Sequence, residues 1–400
     1  MSERAARSPT GLPVVAVLVP HWESTSEEGW VTRQVAGALA CAGDVHIITP
    51  DGRSAGASVD GAFTLHRLGT PLDAVAELRR ALLIEGLSLS AEPMGTSSRA
   101  ELATLLDQGV IDPWLGATGV LNSLRPDVIV VAGHQSIGAL RAADRGLPGT
   151  PIALLALGSE RHSVAFPHFK VMFDRAEAIL AVTEGERRSV IEHHGRMAAV
   201  HRIGAPMAAN PSALTEPNGW VGSDDYILVV TGSASDEDHV ETDLSRLIRL
   251  RFPDTPVGIS HTDSFSVWRK GQLHEGWAVE RPSDMARLMA WARVTVDLHP
   301  GPLFARRCVD SLLFGTPIVV PHDSLAREHA ERGRGGLWFA NASELTWCID
   351  ALLDDPTRDA FGRQGRAYAE DEYGSTDRFI DRVVDACGLT TDAEQTPASV

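Results

Sequence analysis

Short apolar segments alternate with longer amphipathic segments along most of the chain. In the first half, segments rich in β-branched residues predict strands at 14–19, 45–49, 63–68, 128–132, 152–157, 178–183 and 199–203. Apolar positions with a helical period predict helices between them, at 29–42, 101–107, 116–124 and 184–193. This alternation is typical of βα units wound into a parallel sheet.

A second series of the same kind follows the first. Its predicted strands are 226–230, 256–260, 277–279, 294–298, 317–320 and 337–339, with a helix in every gap. Helices predicted at 342–354, 357–371 and 375–387 end the series. Residues 205–224 lie between the two series, and their prolines, asparagines and glycines predict a linker.

The two series predict two domains. We expect an α/β protein with two Rossmann-like parallel-sheet domains that face each other across a cleft. The N-terminal domain is predicted to span 1–208 and the C-terminal domain 209–375. The helix at 376–388 is predicted to pack back on the N-terminal domain, and 389–400 to be a disordered tail.

Composition narrows the function. The 400 residues include 36 Lys and Arg against 53 Asp and Glu, a formal net charge of −17, which argues against broad electrostatic binding to nucleic acid or anionic membranes. No apolar stretch approaches the length of a membrane span, so none is predicted. The four scattered cysteines lack metal-ligand spacing, which predicts no metal site and a reduced, cytoplasmic protein.

Residues 294–328 carry the most informative pattern. A predicted strand ends at Leu298, a His-Pro-Gly-Pro turn follows, and a helix is predicted from about Leu303 to Phe314. The start of such a helix presents backbone N–H groups and a positive dipole end to an anion, and Arg306 and Arg307 add positive charge. A diphosphate site is one interpretation; two solvated helix arginines are the other.

The same segment resembles the donor-site signature of retaining GT-B glycosyltransferases of the large family 4 type. Residues 313–320, Leu-Phe-Gly-Thr-Pro-Ile-Val-Val, reproduce the end of that signature. Asp310 stands where the family has a glutamate that holds the nucleotide ribose. Pro302 stands where the family has another glutamate, near the donor sugar, and supplies no carboxylate. The resemblance implies the GT-B fold.

Other positions extend the resemblance. After the first strand of the second domain, relatives carry an Arg and a Lys that neutralise the diphosphate, whereas this chain has Gly232 and Ser233 followed by three acids at 236–238. Three acids there would repel a nucleoside diphosphate. The segment 324–328 resembles the family's small-residue turn followed by a glutamate, here Glu328. The donor-binding residues implied by the resemblance are Gly232, Ser233, Pro302, Leu303, Phe304, Arg306, Arg307, Asp310 and Glu328.

The first domain supplies the predicted acceptor side. Glu28 and Gly29 stand where the family has a Gly-Gly pair, although Gly29 could simply begin a helix. His134 follows a buried strand, where the family commonly has a histidine near the donor sugar, and is the predicted catalytic residue; the alternative is a half-buried structural histidine. Trp22, in the first loop, and His162 are further acceptor-side candidates. Other tryptophans are predicted to be core residues, namely Trp114, Trp291, Trp338 and Trp347.

The resemblance implies transfer of a glycosyl group from a nucleotide-sugar co-substrate to a hydroxyl acceptor, with retention and without metal or another cofactor. The acceptor, whether a saccharide, a lipid-linked sugar or a small molecule, leaves no trace in the sequence. The lost glutamate at Pro302 and the acids at 236–238 favour an alternative, a non-catalytic GT-B protein that binds a partner glycosyltransferase or a glycan. A sugar-nucleotide epimerase is disfavoured because no convincing set of catalytic carboxylates is found.

Overall fold

The chain divides into two compact units. A computed structural model describes residues 11–20, 22–23, 26–50, 55–69, 114–133, 137–157, 173–194, 199–207, 226–231, 243–260, 264–270, 272–278, 282–298 and 304–389. Unit 1 comprises Met1–Ala205 with Asp377–Val400, and unit 2 comprises Pro206–Thr376. The chain therefore passes from unit 1 to unit 2 and returns.

Unit 1 is built on an eight-stranded sheet. Its strands are β1 (Val14–Leu18), β2 (Asp44–Thr49), β3 (Gly56–Asp60), β4 (Phe63–Arg67), β5 (Val128–Ala132), β6 (Ile152–Leu155), β7 (Ala178–Ala181) and β8 (Val200–Arg202). Their order is β3-β4-β2-β1-β5-β6-β7-β8, and every pair is parallel except β3 with β4. The described helices are α1 (Glu27–Ala40), α2 (Leu115–Leu124), α3 (Ile137–Gly146), α4 (Glu184–His194) and, at the end of the chain, α11 (Thr376–Ala386).

Unit 2 is built on a seven-stranded sheet. Its strands are β9 (Tyr226–Val230), β10 (Val257–Ser260), β11 (Ser264–Arg269), β12 (Gln272–Ala278), β13 (Ala292–Asp297), β14 (Ile318–Pro321) and β15 (Gly336–Phe339), in the order β12-β11-β10-β9-β13-β14-β15. The described helices are α5 (Asp243–Arg251), α6 (Pro282–Trp291), α7 (Arg306–Leu313), α8 (Arg327–Gly333), α9 (Ala342–Leu353) and α10 (Asp355–Tyr373). Two apolar clusters form its core.

The central strands are buried on both faces, which explains their composition. All five residues of β5 and all five of β9 are buried. A strand covered by helices on both sides needs apolar residues at every position, so it shows as a continuous apolar run. Such runs were readable in the sequence, and the prediction of a two-domain α/β protein is confirmed.

The two sheets are mixed, which corrects the prediction of wholly parallel sheets with a helix in every gap. β11 and β12 form an antiparallel hairpin beside β10, where the sequence indicated only a strand at 277–279. β3 pairs antiparallel with β4 and all of its residues are exposed. An edge strand with little apolar surface has no hydrophobic pattern to reveal it. The predicted helix at 101–107 lies outside the described residues, as does most of the predicted linker and of the predicted tail.

The tryptophans are only partly as predicted. Trp114 is a buried core residue, and Trp291 packs half-buried against the core of unit 2. Trp338 and Trp347 are 37% and 64% exposed, so the prediction that they belong to the core is wrong. Trp338 lies on the edge strand β15, where Arg327 covers its ring from 4.6 Å. A hydrophobic pattern in the sequence identifies a tryptophan as apolar, but it does not show whether another element packs on the side chain.

The cysteines are free thiols, three of them buried. Burial raises the pKa of Cys348 to about 11 and that of Cys387 to about 12. At neutral pH both side chains are therefore protonated, and they fill core volume. None of the helices in the described part of the chain combines the length and apolar content needed to cross a bilayer.

Candidate functional site

Each sheet has a point where its strand order reverses. In unit 2 the order runs outward from β9 through β10 on one side and through β13 on the other, so this point lies between β9 and β13. Ligands of open α/β sheets bind outside the carboxyl ends of the strands at such a point. β9 ends beside Thr231, β13 ends at Asp297, and α7 is the first described helix after β13. The candidate donor site is therefore the start of α7.

The helix α7 begins three residues later than predicted. Ala305 precedes it with a φ of 52° and a ψ of 57°, in the left-handed region, and the helix runs from Arg306 to Leu313. A left-handed residue breaks the helical path, which is why a helix from Leu303 was a wrong prediction. Arg306 and Arg307 consequently occupy the first two helical positions. Phe304 and Ala305 are buried, whereas both arginines are partly exposed.

Both arginines have carboxylate partners. The Nε atom of Arg307 lies 3.3 Å from Oδ2 of Asp297, whose side chain is fully buried at the end of β13. The thiol of Cys308 lies 3.8 Å from the same oxygen. The Nε atom of Arg306 lies 3.7 Å from Oδ2 of Asp310, one helical turn on. The two arginines and their two aspartate partners have no net charge. An anion bound at this helix would therefore interact with the helix dipole and with arginines that already form ion pairs.

The Gly-Thr-Pro turn after α7 has a structural role. Gly315 adopts a φ of +79°, and its carbonyl oxygen would lie 2.3 Å from a Cβ placed on Gly362 of α10. The hydroxyl of Thr316 donates a 2.7 Å hydrogen bond to the carbonyl of Met289 at the end of α6. Small residues allow α10 to approach the turn, and the threonine hydroxyl holds it to α6. This packing accounts for the motif without reference to a ligand.

Glu328 lies in the first turn of α8 and belongs to a charged network. Its carboxylate accepts a 2.7 Å hydrogen bond from Arg332, which also bonds Glu372 of α10 at 3.0 Å. Burial opposes the charge on Arg332, but the hydrogen bond to Glu328 and the nearby acidic groups together outweigh it, and the arginine pKa is raised. Next to Glu328, the fully buried His329 lies 2.6 Å from the carbonyl oxygen of Phe304. The structure therefore brings the segment of Glu328 against the loop that precedes α7.

The described candidates of unit 1, namely Trp22, Glu28 and Gly29, lie around the start of α1, which follows β1 at the reversal point of that sheet. The Ser26 hydroxyl caps the helix by accepting a 3.2 Å hydrogen bond from the backbone N–H of Gly29. Gly29 is thus a buried residue in the first turn of a helix that begins at Glu27. The carbonyl of Glu28 accepts a hydrogen bond from Thr32. Trp22 is 4% exposed, so its indole face is covered in this structure.

Trp22 owes its burial to neighbouring strands. Its ring nitrogen donates a 3.2 Å hydrogen bond to Asp60, and its ring lies edge-on to Phe63 at a centroid distance of 5.5 Å. Arg33 of α1 donates a 2.8 Å hydrogen bond to the Trp22 carbonyl. These contacts fix the loop after β1 against the β3–β4 hairpin.

Several predicted site residues lie outside the described residues, namely His134, His162, Gly232, Ser233, Pro302 and Leu303. Asp297 and His329 were missed by sequence reasoning, although both now touch the candidate site. Asp297 could have been noticed in the sequence, because it is the one charged residue of the predicted strand 294–298. His329 carried none, since its partners come from α10 and from the loop before α7. No group of three or more potential metal ligands occurs among the described residues.

Comparison with known proteins places this geometry in a structural class. No protein-family model matches the sequence, and no curated protein sequence matches it. Solved structures do match along nearly the whole length. Trehalose 6-phosphate synthase from Burkholderia multivorans superposes with a TM-score of 0.62 at 12% identity, over 94% of this chain and 98% of that one.

Two further structures agree. Sucrose-phosphate synthase from Thermosynechococcus elongatus matches with a TM-score of 0.60 at 12% identity, over 92% of this chain and 97% of that one. HepE from Anabaena, solved with UDP and glucose, matches with a TM-score of 0.58 at 13% identity, over 94% of this chain and 100% of that one. The chain has the two-domain α/β fold of GT-B glycosyltransferases. At such identities the similarity establishes the fold, and the activity has to be argued from the site.

Proposed function

We propose that the protein is a glycosyltransferase that moves a sugar from a nucleotide-sugar donor to a hydroxyl acceptor. One observation carries the proposal: α7 starts at the reversal point of the unit 2 sheet with two arginines and no acid in its first turn. A helix start at this position, with arginine charge added to the dipole, suits the diphosphate of the donor. The neighbour HepE was solved with UDP, which makes a UDP-sugar the first donor to test.

The chemistry assigned to this site is displacement at the anomeric carbon. The bond between the anomeric carbon and the diphosphate oxygen breaks, a bond to the acceptor oxygen forms, and the acceptor proton passes to the departing diphosphate. Arg306, Arg307 and the first-turn N–H groups would stabilise the charge that develops on the leaving group. If the departing diphosphate accepts the proton, the acceptor hydroxyl must approach the same face of the sugar that the diphosphate leaves. We therefore propose retention of the anomeric configuration, as in family 4. Because fixed positive groups take the diphosphate charge, we also propose that transfer needs no added metal.

UDP-glucose turnover tests the proposal. The wild-type protein is incubated with UDP-glucose in water, with and without EDTA, and UDP release is measured. We expect slow release that EDTA does not change, and roughly tenfold less release by Arg306→Gln because a charge-assisted contact is lost. Arg366→Gln is the matched control, since Arg366 forms a similar exposed i,i+4 pair with Glu370 on α10. NMR of the first glucose released reports whether its configuration is retained.

A non-catalytic GT-B protein is the second candidate. It is favoured by Pro302, by the acids at 236–238 and by the pairing of both arginines with Asp297 and Asp310. Calorimetry with UDP distinguishes the candidates. UDP binding with turnover supports the transferase, UDP binding without turnover of any tested UDP-, GDP- or TDP-sugar supports the second candidate, and no nucleotide binding at millimolar concentration rejects a donor site at α7.

A further inference from the structure

A chain of buried hydrogen bonds runs through unit 2 behind the candidate site. The Tyr368 and Tyr373 rings of α10 meet edge-on at a centroid distance of 6.2 Å. The Tyr368 hydroxyl lies 3.1 Å from Nδ1 of His329, and Nε2 of His329 lies 2.6 Å from the carbonyl oxygen of Phe304. These two hydrogen bonds join three separate places in unit 2, namely α10, α8 and Phe304 just before α7.

The direction of each bond follows from the acceptor at its end. A carbonyl oxygen only accepts, so Nε2 of His329 carries the proton, and Nδ1 of the neutral ring accepts from Tyr368. Burial lowers the pKa of His329, which keeps the ring neutral. Burial raises the pKa of both tyrosines, which keeps their hydroxyls protonated. Tyr368 therefore donates to His329, and His329 donates to Phe304.

This series of contacts ends at Phe304, just before α7, and at Tyr373, near the passages between the two units. Phe304 is the residue before Ala305, whose left-handed backbone sets where α7 begins. At the other end, the backbone carbonyl of Tyr373 accepts a 2.9 Å hydrogen bond from the N–H of Met207. Met207 is the second residue after the passage from unit 1 to unit 2, and Tyr373 comes just before the return at Thr376.

We propose that His329, with Tyr368 and Tyr373, is a positioning relay that holds the start of α7 and couples it to the two chain passages. His329 fixes the Phe304 carbonyl, and this bond orients the left-handed turn that presents Arg306 and Arg307. A shift of the backbone at Met207 or Tyr373 changes the tyrosine end of the relay and, through His329, the loop before α7. The proposal rests on the proposed function only for the identity of the ligand that the start of α7 binds.

Aromatic rings pack along the relay, and Arg332 lies over the Tyr368 ring at 5.7 Å. The Phe304 and Tyr373 rings lie against each other at a centroid distance of 6.2 Å, and His329 meets Tyr373 edge-on at 5.6 Å. Phe304, His329 and Tyr373 are at most 2% exposed. Because water cannot replace a lost bond at a buried site, removing one hydroxyl leaves a buried ring nitrogen unsatisfied. The effect should reach both neighbours of the missing group.

Hydrogen–deuterium exchange of the ligand-free protein tests the relay. Tyr368→Phe removes the middle hydroxyl and keeps the ring. We expect exchange of the amides at 306–309 and of the Met207 amide to increase by about tenfold or more, the loss expected for one buried hydrogen bond. His329→Gln, with Tyr368 intact, should lose less protection, since a glutamine amide can donate to the Phe304 carbonyl and accept from the Tyr368 hydroxyl. Arg366→Gln, on the exposed face of α10, should leave both segments unchanged.

The outcomes separate the relay from the proposed function. If Tyr368→Phe raises exchange at neither segment, or only at the Met207 side, the relay is rejected. If Tyr368→Phe fails to fold, the wild type at pH 5 gives the test without a substitution, because a protonated His329 ring cannot accept from Tyr368 and the amides at 306–309 should then exchange faster than at pH 7.5 after correction for intrinsic rates. UDP is then added to the wild type: slower exchange at 306–309 and at Met207 is expected. Absence of UDP binding would reject the proposed donor site, while the ligand-free result would still decide on the relay.

Discussion

Two helix starts in this molecule share a position but differ in chemistry. α1 in unit 1 and α7 in unit 2 each begin at the carboxyl edge of a sheet, where the strand order reverses. α1 is capped by the Ser26 hydroxyl and has Glu27 and Glu28 in its first turn. α7 has no side-chain cap, is preceded by a left-handed residue and begins with Arg306 and Arg307.

The difference shows that backbone geometry alone does not make an anion site. Both helices present a positive dipole end, but the carboxylates of α1 already offset it and would repel a phosphate. The arginines of α7 add positive charge to the dipole, although their ion pairs with Asp297 and Asp310 offset part of that charge. Side chains in the first turn therefore assign the acceptor side to α1 and the donor side to α7 in the proposed function.

The largest expected effect concerns the anchored arginine, which has no counterpart at α1. Arg307→Gln removes the arginine that pairs with the buried carboxylate of Asp297, and we expect the free energy of unfolding to fall by about 3 kcal/mol. Urea denaturation measures the change. Asp297→Asn in the same protein should recover part of the loss. Arg306→Gln is the neighbouring control, and its more exposed pair should cost less than about 1 kcal/mol. Equal losses in the two arginine variants would show that Asp297 is not the anchor.

Charge reversal tests the comparison directly. Arg306→Glu gives α7 an acidic first turn, as in α1, and we expect the affinity for UDP to fall by at least about tenfold at low salt. Glu28→Arg gives α1 a basic residue and should leave the UDP affinity unchanged. Titration calorimetry at two salt concentrations measures both. A similar loss in the two variants would mean that α7 is not where the diphosphate binds.

The cap of α1 provides a smaller effect. Ser26→Ala removes the acceptor for the Gly29 N–H, and we expect a loss of about 1 kcal/mol in the free energy of unfolding. Ser123→Ala, at an exposed hydroxyl in the last turn of α2, is the control and should change stability little. Thermal unfolding of both variants measures the difference. UDP affinity should be normal in each, and a reduced affinity in Ser26→Ala would contradict the assignment of α1 to the acceptor side.

The smallest perturbation is a change of pH, which leaves every side chain in place. Because burial lowers the folded-state pKa of His329 below its ordinary 6.5, the unfolded chain takes up a proton first as the pH falls. The contribution of His329 to the free energy of unfolding is therefore complete above pH 6.5 and decreases gradually as the pH falls below that value. His329 is faced by Glu328 and Arg332 on α8 and by Tyr368, Glu372 and Tyr373 on α10.

Hydrogen–deuterium exchange of the amides at the starts of α1 and α7 shows which of the two helix starts loses stability at low pH. After correction for intrinsic rates, amides at 306–309 should exchange faster at pH 5 than at pH 7.5, while those at 27–30 should not change. The Ser26 cap does not titrate in this range, which makes α1 the internal reference. His329→Gln should remove the difference between the two pH values. Loosening of both helix starts would indicate a global effect instead of one at His329.

Much of the fold was readable because local chemistry determines it. Continuous apolar runs such as 128–132 and 226–230 are strands covered on both faces, and the spacing of the Gly-Thr-Pro turn after α7 follows from close packing. The hairpin formed by β11 and β12 could not be predicted from the sequence, because it joins the sheet only through the pairing of β11 with β10. The same limit applies to Trp347, whose exposure depends on what packs against α9.

By itself, the sequence determined the βα rhythm, the presence of two α/β units and the arginine-led segment after β13. Each depends on neighbours along the chain, so a pattern of a few residues is enough to reveal it. Only the tertiary structure decided that Arg307 pairs with Asp297, that Trp22 is covered, and that His329 bonds Phe304. These contacts join residues from different elements, and the pairing of buried polar groups is settled by which elements pack together.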